Sequence, residues 1–235
     1  MKENRYLYSY FILSIIGAAF ILLFALLGTS DKGEIKILDK TIICVVFIIC
    51  CIFGISLAFK PNWIRSYRKR KIIKNKSMKD RLTILRQGHH PTCGQFEKHT
   101  IKFNNKILCA GCTGLILGAV SASVFMVIYV LIGFNVSTTF FYFLIILGLI
   151  FIAANFILTF LQPKNAGGQL ISSIALIIGF LFVVLGIFEL TGEIIYGLIG
   201  IIISFLWLDT RIQLSYFRHS ELCNNCQKIC KAYLF

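Results

Sequence analysis

The 235-residue chain is short of charge, with Asp, Glu, Lys and Arg making up 14% of it. Soluble domains carry about 25%. With 57% hydrophobic residues and a mean hydropathy of +0.82, that shortage excludes an ordinary water-facing fold. Acids are scarcer still, ten against 24 bases. No Lys, Arg, Asp or Glu falls at the middle of any long apolar run. Proton relays and ion pathways depend on such residues, so a coupled transporter is disfavoured. Only Glu97 stands close to the histidine- and cysteine-rich stretch that follows the basic segment. A hydrolytic site needing a nearby pair of carboxylates is therefore not supported.

What is present is a series of apolar runs, each long enough to cross a hydrocarbon core about 30 Å thick. They cover residues 7–28, 41–59, 108–134, 139–161, 169–190 and 194–208. The expected fold is all-α, a six-transmembrane-helix bundle. Around it lie a basic loop (60–107) bearing cysteine and histidine and a cysteine-rich tail (210–235). The first run exceeds the ~7–15 residues of a signal-peptide core, which favours an uncleaved span. Ser121, Ser123, Asn155, Ser172 and Ser173 are the main polar groups inside the runs, where hydrogen bonding between helices accounts for them. Gly118, Gly148, Gly179, Gly186 and Gly200 suit close helix packing.

The net charge of +14 follows topology. With the N-terminus inside, 21 cations lie in inside segments and three outside, as the positive-inside rule requires. Both termini, the long loop and both cysteine clusters then share the cytosolic side of a cell membrane. Nucleic acid is not an expected partner, because the cations flank the spans and the aromatics lie inside them. The lipid bilayer is, and the basic segment 65–86 could lie on anionic headgroups.

The stretch Gly88 to Gly114 gathers His89, His90, Cys93, His99, Cys109 and Cys112. Cysteines three apart at the start of a helix can aim both sulfurs at one ion. The helix terminus also favours thiolate over thiol. The candidate metal ligands are Cys109, Cys112, Cys93, and His99 or His90. A second set, His219, Cys223, Cys226 and Cys230, occupies the tail. Two separate sites, or one composite site joining Cys109 and Cys112 to Cys223 and Cys226, both suit the spacing. Zinc is favoured over an iron–sulfur cluster, because histidines suit zinc and the ferredoxin spacing C-x2-C-x2-C-x3-C-P is absent. The same Cys-x-x-Cys also serves a dithiol redox pair.

The segment Leu108-Cys109-Ala110-Gly111-Cys112-Thr113-Gly114 resembles the membrane-protein family called domain of unknown function 2085. In that family Cys-Ala-Arg-Cys-Thr-Gly opens a membrane helix some residues after a Cys-His segment. Gly111 stands here where the family has Arg, and the earlier half, His89 to His99, has no Cys-His pair. The resemblance covers about 35 of 235 residues and implies a membrane protein with a cysteine–histidine site. Three functions therefore stay open. They are a structural or regulatory zinc site, a thiol–disulfide oxidoreductase or redox sensor using Cys109 and Cys112, and a metal-ion transporter.

Overall fold

A computed structural model describes residues 2–28, 35–59, 99–103, 106–132, 136–161 and 165–224. Six helices run in chain order: α1 (Lys2–Leu27), α2 (Ile37–Phe59), α3 (Ala110–Ile132), α4 (Thr138–Leu161), α5 (Ala166–Thr191) and α6 (Ile194–Asn224). Each contains a stretch long and apolar enough to cross a membrane. Outward-facing Ile15, Phe143, Ile146, Ile150, Ile171 and Ile202 are all more than half exposed, as side chains meeting lipid would be. The chain thus has the build of a multi-pass integral membrane protein.

Helix α5 is the centre of the bundle. Two-thirds of its most apolar window is buried, against 22–39% in the other five helices. Its ends are set by local chemistry. Asn165 caps the start, its side chain accepting from the Gly167 N–H at 3.0 Å. Gly192 closes the end at φ 73°, a left-handed conformation that only glycine adopts without strain. Along its length α5 meets α4 backbone to backbone. A Cβ on Gly179 would stand 2.8 Å from the Gly148 carbonyl oxygen, and one on Gly148 would stand 2.7 Å from that of Gly179. The expected packing role of these glycines is realised here. Asn155 of α4 adds the polar link, its Nδ2 donating to the Ser172 carbonyl at 2.9 Å and to Ser172 Oγ at 2.7 Å. Ser123, by contrast, bonds back to Ala119 of its own helix.

The first and last helices pack side by side. Trp207 Nε1 donates to the Ser14 carbonyl at 3.1 Å, and Ser14 and Thr210 share a hydroxyl hydrogen bond of 2.7 Å. Ser14 and Thr210 are buried, so α6 still presents an inward face beyond Leu208, the expected end of the sixth span. The helix continues to Asn224 because no glycine or proline interrupts residues 201–224. Gln213 also bonds Asp209 one turn away, and Leu214 is fully buried. Most of what reads as a polar tail is therefore the last part of a helix. Arg218 of this extension donates to the Phe160 carbonyl at the end of α4 and lies 4.4 Å over the Phe160 ring.

A second difference lies at the end of the basic loop. Residues Thr100–Phe103 (β1) and Lys106–Cys109 (β2) form an antiparallel hairpin, with Thr100 opposite Cys109 and Phe103 opposite Lys106. Leu108 and Cys109, expected at the head of the third span, belong to this strand instead. The clue is Thr-Ile-Lys-Phe and Lys-Ile-Leu-Cys on either side of Asn104-Asn105, two β-prone runs separated by two residues of a type that favours hairpins. The remaining spans start within four residues of their expected positions, except that α1 begins at Lys2.

At the opposite end of the bundle sits a polar cluster that the sequence does not announce. Glu189 of α5, 8% exposed, accepts a hydrogen bond from Tyr129 of α3. It also forms an ion pair of 3.3 Å with Lys40 of α2, whose ammonium lies 5.2 Å from the Tyr129 ring centroid. A buried carboxylate needs such partners, and this one joins three helices.

A candidate dithiol site at the start of helix α3

The hairpin delivers Cys109 to the bundle, and α3 starts at the next residue. Cys109 thus stands at the N-cap position, where a side chain meets the N–H groups that the first helical turn leaves unpaired. Its sulfur accepts hydrogen bonds from the backbone N–H groups of Gly111 and Cys112, and another from the Cys112 thiol. Thr113 Oγ1 donates to the Cys109 carbonyl at 2.9 Å, closing the turn. This turn is pressed onto α5. A Cβ on Gly114 would stand 2.4 Å from the Leu170 carbonyl oxygen, and Ala110 is fully buried. The position of the two sulfurs is accordingly set by helix packing and by strand pairing together.

The third component is Arg211 of α6. Its Nη2 donates to Ser173 Oγ of α5 at 3.0 Å and lies 3.1 Å from where a Cβ on Gly111 would be. The guanidinium is therefore laid against the first turn of α3, near both sulfurs. Arg211 Nε is buried and has no hydrogen-bond partner among the described residues. The hydrogen bond from the Cys112 thiol, helped by the two backbone N–H groups and by the Arg211 charge, holds Cys109 below the ordinary thiol range, at about 6, against the opposing effect of burial. Cys109 and Cys112 are both free thiols and both only partly buried. A poised thiolate beside a protonated thiol within hydrogen-bond reach can attack a disulfide, and it can also ligate a soft metal.

The other sequence candidates fall in several places. His99 immediately precedes β1, one position before the Thr100–Cys109 pair, and its Nδ1 is buried. His90, Cys93, Cys226 and Cys230 lie outside the described residues. His219 and Cys223 lie one turn apart on α6. Cys223 is twelve residues beyond Arg211, about 18 Å along the helix axis. Among the described residues, no three His, Cys, Asp or Glu side chains are placed to hold a metal ion.

Arg211 and Ser173 are the site residues that sequence reasoning missed. Arg211 reads as a span exit beside Asp209. Only the continued helical period, which puts it on one face with Leu208 and Ser204, would have turned it inward.

Compared with protein-family models, curated proteins and solved structures, the chain has no significant match. The resemblance of Cys109-Ala110-Gly111-Cys112-Thr113-Gly114 to the domain of unknown function 2085 thus rests on those motif residues alone.

Proposed function

We propose that this is a cell-membrane protein whose Cys109–Cys112 pair works as a thiol–disulfide couple on the cytosolic face. The observation that carries the reading is the position of Cys109 as the cap of α3, hydrogen-bonded by Cys112 and flanked by the Arg211 guanidinium. The 21-to-3 distribution of cations supports the orientation.

The exchange needs no further group. The Cys109 thiolate attacks a sulfur of a partner disulfide, forming a mixed disulfide and releasing one partner thiolate. Cys112 then gives up its proton and attacks the Cys109 sulfur. That closes the Cys109–Cys112 disulfide and releases the second partner thiolate. The partner gains two electrons and the chain loses two. Arg211 stabilises the anionic sulfur at each stage, and the hydrogen bonds to Cys109 keep Cys112 the later nucleophile.

The test is a titration of purified protein in graded glutathione buffers, with peptide mass analysis of alkylated cysteines. One reversible disulfide confined to Cys109 and Cys112 is expected. A pair that stays reduced across the whole range overturns the reading. Orientation is checked separately on intact cells. Cysteines introduced at Ser137 and Glu193 should react with an impermeant maleimide, and Cys109 should not.

Zinc is the second reading, favoured by the placement of His99 beside the Cys109 end of the hairpin. Cys109, Cys112 and His99 with Cys93 or His90 would make a four-ligand set of the kind that structural zinc takes. Bound there, zinc would clamp the loop to the bundle. One zinc per chain, lost in a Cys109→Ser/Cys112→Ser variant and shielding both thiols from alkylation, would establish it in place of the redox couple.

A further inference from the structure

Asp209, Thr210 and Arg211 fasten α6 to its neighbours at the start of its polar extension. Asp209 meets the Tyr10 hydroxyl of α1 and Gln213 of its own helix. Thr210 bonds Ser14 of α1. Arg211 reaches the other way, between Ser173 of α5 and the first turn of α3. Ser173 is neutral, and Arg211 Nε is enclosed without a hydrogen-bond partner among the described residues. Asp209, two residues back, lies on the opposite side of the helix. Among the described residues, the groups beside Arg211 that can carry negative charge are the sulfurs of Cys109 and Cys112. An enclosed guanidinium needs an anion or a full set of acceptors. In the dithiol form the Cys109 sulfur is that anion, held at the cap of α3.

We propose that α6 beyond Asp209 is a redox-responsive arm, loosened from α3 and α5 when the Cys109–Cys112 disulfide closes. The proposal rests on the thiol–disulfide reading and gives that couple an output. In exchange with a partner disulfide, the Cys109 thiolate and the Cys112 thiol together lose two electrons and one proton. One S–S bond forms here and one breaks in the partner, which leaves as a thiolate and a thiol. The negative charge departs with the partner, and Arg211 stays behind against two neutral sulfurs. Lifting this turn of α6 from α5 returns water to the guanidinium. Farther out, Arg218 holds the Phe160 carbonyl and ring, and Leu214 is fully buried. Oxidation leaves those contacts unchanged, so the response is a shift in how often the arm opens. The coupling is reciprocal, and a docked arm favours the dithiol.

The experiment is amide hydrogen exchange, read by mass spectrometry, on the full metal-free chain in detergent. Cys93, Cys223, Cys226 and Cys230 are replaced by Ser, and the dithiol form is compared with that closed by glutathione disulfide. Loss of one nearby opposite charge is worth about one pH unit, or about tenfold in an equilibrium. Peptides covering residues 211–220 should therefore exchange about tenfold faster in the disulfide form, and those of α2 and α4 should be unchanged. Arg211→Gln strands no charge, so its two forms should exchange alike. Arg211→Met replaces it if the glutamine is not accepted. Ser173→Ala keeps the charge, and should open the arm more in both forms while preserving the ratio between them. Equal exchange in the two forms with Arg211 present overturns the proposal and leaves the thiol couple standing. A ratio that survives in Arg211→Gln also overturns it, as does faster exchange spread over all six helices. A pair that never closes removes both readings together.

Discussion

Replacing Arg211 with Gln should change the reactivity of Cys109 in opposite directions in acid and in alkali. Arg211 is the weakest of the groups that hold Cys109 in its thiolate form, and the Cys112 thiol is the strongest. An opposite charge close by lowers a titration midpoint by about one to three pH units. The last-ranked contributor belongs at the low end, so Arg211→Gln should raise the Cys109 midpoint by about one unit. In acid, where the thiolate is the minor form, that shift cuts its population about tenfold. Each thiolate becomes more nucleophilic as its basicity rises, by about threefold per unit for a Brønsted coefficient near 0.45. The net rate with a small disulfide reagent therefore falls about threefold at pH 5 and rises about threefold at pH 9. The two rate profiles should cross between. The assay is reagent consumption by metal-free protein in which Cys93, Cys223, Cys226 and Cys230 are Ser. Cys112→Ala, measured alongside, should move the midpoint further than Arg211→Gln. Parallel profiles without a crossing, or a larger effect from Arg211→Gln than from Cys112→Ala, would refute the proposed hierarchy of contacts around the sulfur.

The bundle itself offers three tests. Glu189→Gln leaves Lys40 without its counter-ion in a largely buried setting, and should destabilise the protein by about 3 kcal/mol, the low end for a broken buried pair. Unfolding in detergent that matched the native protein would show the cluster to be inert. Gly179→Ala must push a methyl against the Gly148 backbone and should cost about 1–3 kcal/mol by overpacking. Gly54→Ala, facing open space, should stay within about 0.5 kcal/mol, and equal losses in the two would contradict the packing described. Asn155→Leu, which removes two hydrogen bonds to Ser172, should lower stability by only about 1 kcal/mol, since such bonds inside membranes average about 0.6; a loss several times larger in the same unfolding assay would point to a role beyond holding helices together.

The six helices were legible because the signal that defines them, sustained apolar length, is local and needs no partner. The same locality explains what was not. Hydropathy falls at Asp209 and Arg211, so the sixth span seemed to end there. The helix continues because Asp209 bonds Gln213, Thr210 bonds Ser14, and Arg211 bonds Ser173. Two of those three partners lie on other helices, beyond the reach of any window along the chain. The pairing of Glu189 with Lys40 is hidden for the same reason, being set by how α2 meets α5. At the site, Cys109 and Cys112 could be named from spacing, and their place at a helix start was foreseen. The cap geometry depends on the hairpin that turns Cys109 into the first turn of α3. Its signature, two four-residue runs about Asn104-Asn105, was outweighed by the apolar run that follows.

Ser173 and Glu189 tie α5 to its neighbours at opposite faces of the bundle, sixteen residues apart. At the helical rise that is a fixed gauge of about 24 Å, shorter than a typical hydrocarbon core of about 30 Å. Both groups are buried inside the bundle, so this gauge is set by helix packing rather than by the lipid around it. A shift of α5 along its axis at the Glu189 cluster would therefore be felt at the turn that holds the two cysteines, through a single rigid helix.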